Sequence, residues 1–180
     1  MNDQAINIKN WMEPLSWLKG RWHGRGKGGF PTHDSFEYAD YMRFKIVEDA
    51  FTQESIIHFE EIARIVDKGE NHFKHWETGF FKPASNGRVE LLICHNTGRV
   101  EIAYGVYQEL DLKKKSFRIL FESDRVRNDE STKTVLQSRR ELIYSDGELV
   151  YKLSMSTTEV LKISAHLEVK LQKIMPVQSF

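Results

Sequence analysis

The chain has 180 residues, 40% of them hydrophobic, and its 26 lysines and arginines cancel its 26 aspartates and glutamates. That length suits one domain with a sizeable core, and a net charge of zero offers no field to draw nucleic acid or an acidic membrane, so neither is expected as a partner. The single cysteine, Cys94, cannot form an internal disulfide, Met1 to Lys9 lack a basic-then-apolar secretion pattern, and no apolar run nears the roughly 20 residues of a membrane span, so the cytoplasm is the default location.

In chain order, Ile8 to Leu18 reads as a short helical segment with Trp11, Met12, Leu15, Trp17 and Leu18 as its apolar residues. Pro14 limits its length, and the segment suits a plug for one end of a barrel. Gly20 to Gly28 then alternates tiny and bulky residues at the period of a strand. One face carries Gly20, Trp22, Gly24, Gly26 and Gly28, the other Arg21, His23, Arg25 and Lys27. A strand glycine costs about 0.5–1 kcal/mol, so this face needs a sharply bent sheet or the close approach of something flat.

After Phe30-Pro31-Thr32 the pattern resumes at Ser35 to Phe44. Further strands are expected at Phe51 to His58, Glu60 to Val66, Phe73 to Lys82, Val89 to Cys94, Arg99 to Tyr107, Ser116 to Glu122, Thr134 to Tyr144 and Leu149 to Thr157. Turn-like runs separate them at Asp67 to Asn71, Pro83 to Gly87, Asn96 to Gly98 and Ser145 to Gly147. The basic run Lys113-Lys114-Lys115 reads as a solvated turn. Short sequential strands with brief turns predict an all-β fold: an antiparallel up-and-down β-barrel of about ten strands with a short N-terminal helical segment. Closure removes both exposed edges. One domain is expected over residues 1–180, with its core at about 15–175.

A barrel of that size holds one small ligand in its mouth. The chain has no P-loop, dinucleotide fingerprint or Gly-x-Ser-x-Gly, and its seven histidines include no His-x-x-x-His on a convincing helix, nor is there a Cys-x-x-Cys, so zinc chemistry is not expected. Two histidines stand out by context. His95 shares a face with Val89, Leu91 and Ile93, so alternation turns its imidazole towards the apolar side. His166 precedes the alternating Leu167, Val169 and Leu171, and strict alternation turns it away from that face. It enters the cavity only if the chain turns or bulges at or just before it. For each, an ordinary hydrogen-bonded histidine is the plain alternative.

Gly20-x-Trp22-x-Gly24-x-Gly26 resembles the signature of the nitrobindins, a family of haem-binding β-barrels related in fold to fatty-acid-binding proteins. The resemblance continues through Phe30-Pro31-Thr32, Phe36-Glu37-Tyr38, His75 to Phe81, Asn96 to Glu101, Met155 to Thr158 and His166-Leu167. It implies haem b in the open end, with His166 as the axial iron ligand and therefore the metal-binding residue. Thr32 and His75 then stand beside the cofactor. It also implies binding of nitric oxide, and isomerisation of peroxynitrite to nitrate at ferric haem, in a monomer or homodimer with no catalytic side chain beyond the haem iron.

The chain departs from the family in two places. Ile46 to Val66 lacks the family's Gly-Lys-Pro turn, which leaves open whether the pocket is closed. His95 stands where relatives carry glutamine, and is a distal hydrogen-bond donor, a sixth iron ligand or a polar wall residue. The rival reading is a haem-free carrier of a fatty acid or other apolar small molecule.

Overall fold

The computed structural model describes residues 13–48, 55–67, 70–111, 113, 115–130 and 134–175. Ten strands form a closed antiparallel barrel in which each strand pairs with the next and the last closes on the first. They are β1 (Gly20–Phe30), β2 (His33–Glu48), β3 (Ser55–Asp67), β4 (Glu70–Pro83), β5 (Val89–His95), β6 (Val100–Asp111), β7 (Ser116–Arg127), β8 (Val135–Ser145), β9 (Glu148–Thr157) and β10 (Ser164–Ile174). The expected all-β barrel is thus the observed one. No helix among the described residues is long and apolar enough to cross a membrane.

The two strands expected at Phe51 to His58 and Glu60 to Val66 are one strand over their described part. β3 runs unbroken through Phe59 because its inward positions continue as Ile57, Phe59, Glu61 and Ala63, all buried. Glu61, expected within the second of the two strands, points inside. Residues 51–54 of that expectation, and Ile8 to Met12 of the helical segment, lie outside the described residues.

The rest of the N-terminal segment is a 3-10 turn, Glu13–Leu18, rather than an α-helix. Leu15 and Leu18 are fully buried in the core that includes Trp22, Leu149 and Leu171. The indole Nε1 of Trp22 donates to the Leu18 carbonyl at 2.8 Å. Trp17 stacks on Tyr144 at 5.0 Å and on Phe117 at 5.8 Å. These residues sit at the start of β1, the end of β8 and the start of β7, so the segment plugs that end as expected.

Close approach explains the glycine face of β1. A Cβ on Gly24 would lie 1.9 Å from the Lys170 carbonyl oxygen of β10, so glycine permits the close approach of the strand that closes the barrel. Gly28 pairs with Phe36 on β2, and a Cβ there would lie 2.3 Å from the Phe36 ring. The flat group against the glycine face is therefore an aromatic side chain of the next strand.

The departure at Ile46 to Val66 leaves the barrel intact and its far end open. At that end, Tyr38, Ala63, Ile65, Leu153 and Met155 line a cavity of about 580 Å³.

Candidate functional site

The barrel interior has three levels along its axis, each built by stepping two residues along the strands. On β2 the inward order is Tyr38, Asp40, Met42, Phe44; on β4 it is His75, Glu77, Gly79, Phe81. The first of each lines the cavity, the second belongs to a buried polar layer, and the last belongs to the apolar core.

His166 reaches the cavity through the local irregularity that the alternation required. Ala165 pairs with Ser154 and Leu167 pairs with Leu153, so His166 is the extra residue of a β-bulge in β10. The bulge resets the parity, and His166 lines the cavity beside Leu167. Its Nδ1 stands 3.0 Å from the Gly29 carbonyl, an obligate acceptor, so the proton lies on Nδ1 and the lone pair on Nε2. The rings of Phe30 and Phe36 stand steeply across the His166 ring, at 85° and 68°, with centroids 5.8 and 6.3 Å away. Burial lowers the His166 pKa, which the Gly29 bond only partly opposes, and keeps the imidazole neutral at pH 7.

Thr32 lines the cavity from the β1–β2 turn, and His75 lines it from β4. His95 stands elsewhere: its side chain is fully buried behind the cavity wall, with Nδ1 at 3.1 Å from Glu77 Oε2 and Nε2 at 3.1 Å from Glu101 Oε1. The structure therefore brings Thr32, His75 and His166 to one cavity and sets His95 behind His75, whose Nε2 is 3.4 Å from His95 Nδ1.

The layer around His95 holds residues that the sequence reading passed over. Arg140 donates from Nη1 to Glu77 Oε1 at 2.6 Å and from Nη2 to Glu77 Oε2 at 3.1 Å, and it also donates to the Tyr151 hydroxyl. Arg99, which lines the cavity, approaches Glu101 Oε1 at 2.7 Å, and Ser138 Oγ donates to Glu101 Oε2 at 2.6 Å. Burial is the largest influence on Glu77 and opposes its ionisation, but the Arg140 guanidinium, the His75 hydrogen bond and the neighbouring imidazoles together outweigh it and hold the carboxyl well below its usual range. The same contest leaves Glu101 depressed.

Asp40 and Glu61 in the same layer go the other way. Burial first, and then the neighbouring carboxylates, raise both well above the usual range. Neither oxygen of Asp40 has a hydrogen-bond partner among the described residues. Burial also lowers the pKa of His95 against the pull of Glu101 and Glu77. The signal for this layer was present in the alternation itself: Asp40, Glu61, Glu77, Glu101 and Arg140 each occupy an inward-facing strand position.

A closed barrel, a cavity at its unplugged end and a bulge-borne histidine with a free Nε2 lone pair narrow the family choice. The family model of the THAP4-like, heme-binding beta-barrel domain matches residues 11–173. The chain belongs to that family. Among its relatives is an Arabidopsis thaliana protein named peroxynitrite isomerase Rv2717c, 32% identical over 167 residues, 93% of this chain and 91% of that protein. Another is the peroxynitrite isomerase of a Nocardioides species, 34% identical over 147 residues, 79% of this chain and 81% of that one. The crystal structure of Rv2717c from M. tuberculosis superposes with a TM-score of 0.81 at 26% identity, covering 94% of this chain and 100% of that one. The nitrobindin resemblance of the sequence and the family match therefore agree.

Proposed function

We propose that the cavity binds haem b with His166 as the axial ligand, and that the loaded protein binds nitric oxide and isomerises peroxynitrite to nitrate. The observation that carries this reading is the bulge at His166. It delivers a neutral imidazole, its tautomer set by the Gly29 carbonyl, to an otherwise mainly apolar cavity. The donor chemistry fits: neutral imidazole with Nε2 available is a haem-iron ligand, and a backbone acceptor on Nδ1 is the second-shell bond that orients one. The cavity volume of about 580 Å³ falls within the span of cofactor sites.

Haem held by His166 would supply a Lewis-acidic iron able to promote rearrangement of the weak O–O bond of peroxynitrite. The chain's own residues do the rest. Phe30 and Phe36 pack across the His166 ring and, with Leu153 and Leu167, give the cavity an apolar lining. Arg99 places a fixed cation in the lining, which favours entry of an anion such as peroxynitrite. Thr32 and His75 offer polar contacts to the cofactor. His95 fits the role of a polar wall residue that acts through His75 rather than on the ligand directly.

Titration of the purified protein with ferric haemin, followed by absorption, tests this reading. Saturable one-to-one uptake with a histidine-type spectrum is expected, and His166→Ala should lose that spectrum. Stopped-flow decay of peroxynitrite should then be faster with the loaded wild type than with free haemin. Uptake indifferent to His166→Ala would sink the ligand assignment. No specific uptake, combined with saturable binding of a fluorescent fatty acid, would favour the carrier reading instead.

A further inference from the structure

His75, Glu77 and His95 bring three ligand atoms together beside the cavity. His75 lies two residues before Glu77 and so shares its inward face, and His95 pairs directly across from Glu77 on β5. The atoms that meet are His75 Nε2, Glu77 Oε2 and His95 Nδ1. Their separations are 3.1 Å from His75 to Glu77, 3.1 Å from Glu77 to His95 and 3.4 Å between the two histidines. A tetrahedral zinc with ligands at about 2.0–2.1 Å has ligand–ligand edges of roughly 3.3 Å, so the triangle matches one face of such a tetrahedron.

We infer that this triangle is a divalent transition-metal site, with zinc as the fitting ion, held by His75, Glu77 and His95 and separate from the His166 ligand. Two nitrogens and one carboxylate oxygen suit zinc and leave a fourth position open.

Arg99 can only donate, and its Nη2 lies 3.2 Å from His95 Nδ1, so the lone pair of His95 sits on Nδ1 and its proton on Nε2, 3.1 Å from Glu101 Oε1; a metal at Nδ1 takes the place of the Arg99 donor. That tautomer puts a nitrogen lone pair against the ionised Glu77 oxygen at 3.1 Å. A cation between them turns this repulsion into two bonds. The Nε2 side faces Glu101 Oε1 at 3.1 Å, so a small ring rotation gives the histidine–carboxylate pair that supports metal-ligating histidines. Arg140 fixes the plane of the Glu77 carboxylate by gripping Oε1 at 2.6 Å and Oε2 at 3.1 Å.

Entry runs through the cavity, because the His75 side chain is 22% exposed while those of Glu77 and His95 are sealed. The inference does not rest on haem binding, and the two assignments fail separately.

The test uses chelator-treated, haem-free protein, titrated with zinc by calorimetry and with cobalt(II) by absorption. One equivalent of each is expected, the cobalt form showing the intense visible bands of tetrahedral coordination. His75→Ala and the size-conserving His95→Gln should weaken zinc binding by at least the roughly 10–100-fold that a lost second-shell partner costs. His166→Ala should bind zinc as the wild type does. X-ray absorption on zinc-loaded wild type, which needs no variant, should show two imidazole ligands. Absence of saturable uptake, an oxygen-only zinc shell, or affinities unchanged in both His75→Ala and His95→Gln would overturn the site.

Discussion

The two halves of the barrel interior are built from the same ten strands with the same inward alternation, yet one half fills itself and the other stays open. At the plugged end Leu15, Leu18, Trp22, Leu149 and Leu171 close the axis with apolar side chains. At the other end the lining retreats to leave the cavity, and the buried polar layer of Glu77, His95, Glu101 and Arg140 stands between the two. The contrast shows how a barrel keeps a pocket. A level of mutually bonded charges stops the apolar core from growing up the axis, because each charged group is fixed by partners that an apolar side chain cannot replace one at a time.

The sharpest way to break that contrast is to remove the cation of the layer. Arg140→Leu leaves Glu77 and Glu101 buried with their main partner gone, and should cost about 3–5 kcal/mol in denaturant unfolding. Adding Glu77→Leu should restore much of the loss, since the pair is then replaced by apolar groups rather than broken. A single substitution costing under about 1 kcal/mol would mean that the layer is solvated and does not divide the two halves.

Damage confined to the plug should act differently. Leu18→Ala removes a fully buried side chain and should cost about 3 kcal/mol, near the middle of the range for buried leucine truncation. Because the plug and the cavity occupy opposite ends, haemin affinity at a temperature where the variant is folded should match the wild type. A parallel fall in haemin affinity would show that the two halves are coupled through the strands.

Most of the fold was legible because alternation and turn chemistry act locally. The turn at Ser145 to Gly147 is an instance: Asp146 and Gly147 take φ of 51° and 85°, as a tight hairpin demands. The glycine face of β1 was legible as a demand for close approach, though only the structure shows that the neighbour is Phe36. What alternation could not give was the bulge at His166, because an inserted residue leaves no mark in the period it interrupts. The polar layer was missed for another reason. Arg140 looks like any surface charge until its parity on β8 is followed inward between Ser138 and Leu142. The meeting of His75, Glu77 and His95 was hidden in the same way, since they come together across paired strands and linear spacing shows only the His75-x-Glu77 half.

A further effect, which builds with pH, concerns the acids of the layer that have no guanidinium of their own. Asp40 is held well above the usual carboxylate range by burial and then by the charge of Glu77. Below about pH 4 both folded and unfolded chains hold its proton, whereas above that only the folded chain does. The folded state therefore binds more protons, and this group's contribution to stability falls as pH rises, by about 1.4 kcal/mol per pH unit, until the folded carboxyl also ionises. Asp40→Asn removes that titration while keeping the shape. The variant should thus gain on the wild type as pH increases above 4, in denaturant unfolding measured with chelator present. An equal stability difference at every pH would show that Asp40 is not the titrating acid, and that the polar layer keeps its charge balance by another group.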